Sequence, residues 1–73
     1  MTKQFEIGSG VAWQLADGNT MAGHIFDFTY NRHAAYIERV DGSSCGPIQV
    51  NDLRESTFED IQRAVEFFAH IGS

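Results

Sequence analysis

Apolar residues along this chain of 73 residues recur first every second position and later at helical spacing. Val11, Trp13 and Leu15 fall on one side of an extended segment, and Phe5 and Ile7 alternate likewise before Gly8-Ser9-Gly10 breaks the pattern. Asp17-Gly18-Asn19 predicts a turn, since Gly and Asn tolerate positive φ and Asp bonds its own backbone. Met21 to Tyr30 reads as the longest strand. Its even positions (Ala22, His24, Phe26, Phe28, Tyr30) form the expected core side, with Ile25 as the odd exception. Asn31-Arg32-His33 connects it to an antiparallel strand from Ala34 to Val40. Asp41 to Pro47 has the composition of a loop, and Ile48-Gln49-Val50 is a short last strand with Pro47 at its start or on a sheet edge.

The C-terminal third changes period. Ser56-Thr57-Phe58-Glu59 fits a capping box between the Ser56 hydroxyl and the Glu59 carboxylate. Phe58, Ile61, Val65 and Phe68 then recur as the stripe of an amphipathic helix of about four turns, with Gly72 as its stop. The expected architecture is α+β: a three- or four-stranded antiparallel sheet with one C-terminal helix on one face, in a single domain over residues 1–73. Two domains would each be too small for a core of their own.

Charge narrows the function classes. Ten acidic residues against five basic ones give a net charge of −5, which disfavours direct nucleic-acid binding and adsorption to an anionic membrane. No apolar run is long enough for a signal-peptide core or a membrane span, and the single Cys45 rules out an intramolecular disulfide; a cytoplasmic protein is expected.

Candidate chemistry is sparse. Cys45, in Ser-Ser-Cys-Gly-Pro, has no histidine at a spacing that supplies a base, and a lone cysteine is ordinarily a small hydrophobe. His24, His33 and His70 lack the spacings of metal ligands, and Gly8-Ser9-Gly10 lacks the further glycine and Lys of a phosphate loop. Trp13, Tyr30 and Tyr36 could stack bases only with basic neighbours, and they have none; core packing is their expected role. No cofactor, no metal and no enzymatic activity are expected.

The acidic residues gather instead. Asp52, Glu55, Glu59, Asp60 and Glu66 lie in the C-terminal third with only Arg54 and Arg63 against them. Part of this complements the helix dipole. Phe67 lies about 120° from the centre of the expected core stripe, with Ile71 beside it. Asp52, Glu55, Glu59, Asp60, Glu66, Phe67 and Ile71 therefore make up the expected partner-binding surface, an aromatic anchor rimmed by carboxylates. The expected function is a small protein-binding module (an inhibitor, immunity-type protein or adaptor) docking onto a larger basic or nucleic-acid-binding protein. Small acidic chains of phages and mobile elements, anti-CRISPR proteins among them, act in this way, a likeness of size and charge alone. The alternatives are a homo-oligomeric structural protein, such as a homodimer, and a thiol-dependent enzyme or binder using Cys45.

Overall fold

The computed structural model describes residues 5–71, the side chain of Ile71 excepted. Five antiparallel strands precede one helix: β1 (Gly10–Gln14), β2 (Thr20–Phe28), β3 (Ala34–Arg39), β4 (Ser44–Gln49), β5 (Arg54–Glu55) and α1 (Phe58–Ile71). The strand order is β4-β3-β2-β1-β5. The α+β class and the single helix agree with expectation, and the sheet gains a fifth strand. β5 is too short to carry a periodicity, so only its pairing with β1 reveals it. No helix among the described residues is long and apolar enough to cross a membrane.

The Asp17-Gly18-Asn19 turn forms as read. The Asn19 amide donates to Asp17 Oδ1 at 3.1 Å and Gly18 takes φ +89°. In contrast, β4 begins at Ser44, inside the expected loop, and Val50 opens a single 3-10 turn instead of ending a strand. Pro47 lies on β4 because β4 is an edge, where a missing amide costs no ladder bond.

The expected core side of β2 is overturned along most of its length. Met21 and Ile25, with Gly23 between them, face inward, while His24 and Phe26 are exposed and Tyr30 stands wholly in solvent beyond the strand. The cause is a bulge. Ile25 pairs with Ile37 but Asp27 pairs with Tyr36, so Phe26 is an extra residue and the inward side passes from odd to even positions. Only Phe28, opposite the buried Ala35, returns to the core side.

The two edges of the sheet are joined by Val50–Leu53 alone. In a flat five-stranded sheet they would lie about 19 Å apart, while a link of this length with a 3-10 turn spans roughly 12 Å. The sheet must therefore curl, and its inner face gathers Val11, Trp13, Met21, Ile25, Ile37 and Leu53 into one buried cluster. The consecutive burial of Val11, Ala12 and Trp13 shows that the other face of β1 is covered as well. The cover there is α1.

Candidate functional site

Residues 54–60 fix how α1 sits. Arg54 is paired with Ala12 across the β5–β1 ladder, and its guanidinium makes a two-pronged ion pair with the Asp60 carboxylate. Asp60 Oδ2 also accepts the Thr57 amide at 2.9 Å, while the Asp60 amide donates to Thr57 Oγ1 at 3.2 Å. The capping box is thus Thr57 with Asp60, one residue later than Ser56 with Glu59. Glu59 is exposed and pairs with Arg63 one turn on, at 2.6 Å. Held by Arg54 and the Thr57 amide, the Asp60 carboxyl lies far below the usual carboxylate range.

One residue of difference in the cap goes with a rotation of roughly 100° in the helix. The side facing the sheet carries Asp60, Ala64, Phe67 and Phe68, with Ala64 fully buried. Ala64 belongs to one core cluster with Ala12 and Ala22, neighbours across the β1–β2 ladder, so small side chains line this contact. The stripe read as core turns outward instead: Phe58 is 80% exposed, Val65 51% and Ile61 41%, and only Phe68 stays packed against the core.

The expected docking residues separate accordingly. Glu55, Glu59 and Glu66 are exposed, as is Asp52 in the 3-10 turn. Asp60 is withdrawn into its ion pair and contributes nothing to an open acidic surface. Phe67 is half-buried against the core, its ring edge-on to Phe68 at 5.7 Å, so it is a packing residue rather than a protruding anchor. The backbone of Ile71 ends the helix; its side chain lies outside the described residues, as does Gly72. The exposed apolar residues of α1 are instead Phe58, Ile61 and Val65, which the hydropathy pattern assigns to the core side.

Comparison with protein-family models, with curated proteins and with solved structures finds no match to this chain.

Cys45 is partly buried, and burial, assisted by the charge of Asp41, pushes its thiol up against the weaker opposing pull of Arg39; it stays protonated at neutral pH. Among the described residues no group of three His, Cys, Asp or Glu side chains could hold a metal ion. An open groove of about 430 Å³ lies between the Gly18–Thr20 turn and the polar flank of α1, lined by Arg63, Glu66, Phe67 and His70. Arg63 is engaged by Glu59 there. Trp13 is in the core, and Tyr30 and Tyr36 do not share a platform with it: Tyr30 is exposed beyond β2, and Tyr36 stands beside Phe26.

Proposed function

We propose that this domain is a protein-binding module that docks the outer side of α1 onto a larger, basic partner, acting as an inhibitor, immunity-type protein or adaptor in the cytoplasm. One observation carries the reading. Phe58, Ile61 and Val65 stand outward in a row on a helix whose packing against the sheet is complete without them. Single exposed apolar residues are ordinary, but three in one row form the apolar centre that a partner's surface covers. The exposed carboxylates Glu55, Glu59 and Glu66, together with Asp52, favour a partner rich in Lys and Arg, such as a nucleic-acid-binding protein.

The same row would suit a second copy of the chain, but pairing like surfaces would bring like charges together in a molecule of net charge −5. A monomer in sedimentation at high micromolar concentration is the expected result.

The module reading is tested by differential capture. Immobilised wild-type protein and an Ile61→Asp, Val65→Asp variant are presented to the native host's soluble proteins at low and high salt. Both substituted positions are exposed, so the variant keeps its stability to within about 1 kcal/mol. A protein retained by the wild type and released tenfold or more by the variant, with retention falling as salt rises, is the expected outcome. Equal retention by the two proteins sinks the reading.

A further inference from the structure

The helix crosses the strands instead of running along them. Near its start Asp60 meets Arg54 on β5; near its end Phe68 lies 5.7 Å from the Arg39 guanidinium on β3. Those strands are three ladder spacings apart, about 14 Å, and eight helical residues cover about 12 Å. Beneath the helix runs the row Arg54–Ala12–Ala22, which the Val40 amide extends by donating to the Ala22 carbonyl. A crossing helix has two flanks. One, with Arg63, Glu66, Phe67 and His70, faces the Gly18–Thr20 turn. The other faces the next row along the strands, Gly10–His24–Glu38–Ser44, and Ile61 and Val65 fall on that flank at 100° per residue. The Ser56 amide, donating to the Gly10 carbonyl at 3.2 Å, anchors the start of the helix at the same row.

Among the described residues no element covers this half of the sheet face. His24 and Glu38 are about half exposed and 3.8 Å apart. Next along the strands, the bulge turns Phe26 outward, its ring 6.3 Å from that of Tyr36. By this register and helical spacing, Ile61 and Val65 on α1 border a groove whose floor is the aromatic and acidic face of β2 and β3. Its charges are unbalanced: Glu38 and the exposed Asp27 are set against His24, while Arg39 lies over Phe68 and Arg54 is held by Asp60.

Resting on the module reading, we propose that this groove receives an amphipathic helical segment of the partner, with apolar side chains against Ile61, Val65, Phe26 and Tyr36 and a Lys or Arg on Glu38. Charge complementarity selects the cation. A helix satisfies its own backbone in a groove formed by side chains, whereas strand addition has little to pair with: β4 carries Pro47 and β5 has two residues.

The test uses isotope-labelled full-length protein titrated with a 14-residue amphipathic peptide of Leu and Lys, and with the same peptide carrying Glu for Lys. Amide shifts on both walls (Ile61 and Val65 together with His24, Phe26, Tyr36 and Glu38), about tenfold weaker binding to Glu38→Gln and loss of binding with the Glu peptide are the expected results. Shifts confined to α1, shifts centred on Gly18–Thr20, or indifference to Glu38→Gln would overturn the groove while leaving the module reading to stand or fall by differential capture. Concentration-dependent shifts in the same residues without peptide would overturn it in favour of a second copy.

Discussion

Gly23→Ala is expected to cost about 3 kcal/mol. Gly23 sits in the middle of β2, opposite Val11 on one side and Arg39 on the other. A Cβ there would overlap the Glu38 carbonyl oxygen and lie 2.8 Å from Ile37 Cγ2 and 3.0 Å from Arg39 Cα. None of these atoms can retreat cheaply. The carbonyl and the Cα belong to a paired strand, and Ile37 is fully buried. Gly18→Ala offers the contrast: nothing lies within 4 Å of the added methyl, but φ is +89°, so the cost is backbone strain of about 1 kcal/mol. In urea unfolding Gly23→Ala should therefore fall well below Gly18→Ala. The opposite ranking would mean that β2 and β3 are not in the register described.

Asp60→Ala is expected to lose about 2 to 3 kcal/mol and to blunt the response to acid. Two contributions disappear together: the helix cap on the Thr57 amide, worth about 1 kcal/mol, and a two-pronged ion pair worth about 1 to 2. The loss stops short of a fully buried pair because Arg54 is 46% exposed and recovers water when its partner goes. The native state holds the Asp60 carboxyl below its ordinary 3.8, so the stabilisation is present above about pH 4 and drains away as pH falls from there. Thermal unfolding at pH 7 and at pH 3 should show a smaller drop for Asp60→Ala than for the wild type. Parallel drops would show that other carboxylates govern the acid limb.

Much of the fold is legible in the residues. The alternation in β1, the Asp17-Gly18-Asn19 turn and the helix period are each set by neighbours within a few positions, and those local rules hold. The errors arise where a distant element decides. A bulge shows no signature in the hydropathy of β2, since Phe26 is as apolar as Ile25 and Phe28, the core-side residues before and after the bulge. Likewise the helix has apolar residues over more than half its circumference, and hydropathy alone favours the side with the larger ones. What selects the other side is Arg54, fixed by a two-residue strand, together with the small residues Ala12, Ala22 and Ala64, which belong to the same cluster. Phe58, Ile61 and Val65 therefore stand outside although their spacing is that of a core stripe. The carboxylates Asp52, Glu55, Glu59 and Glu66 needed only their own polarity to be placed outside. Asp60 does not share that surface, because its position in the cap draws it inward.

The short Val50–Leu53 link has a consequence for the order in which the chain assembles. β2, β3 and β4 are joined by tight turns and can pair early at little entropic cost, whereas Val11 meets Glu55 across 44 residues of sequence. β5 and the helix it carries are thus expected to be ordered last and to open first when the native state fluctuates. On the proposed module reading, a partner gripping α1 takes hold of the region whose local opening is expected to be cheapest. Its binding should therefore slow amide exchange in β5 as well as in the helix, far beyond the residues it touches.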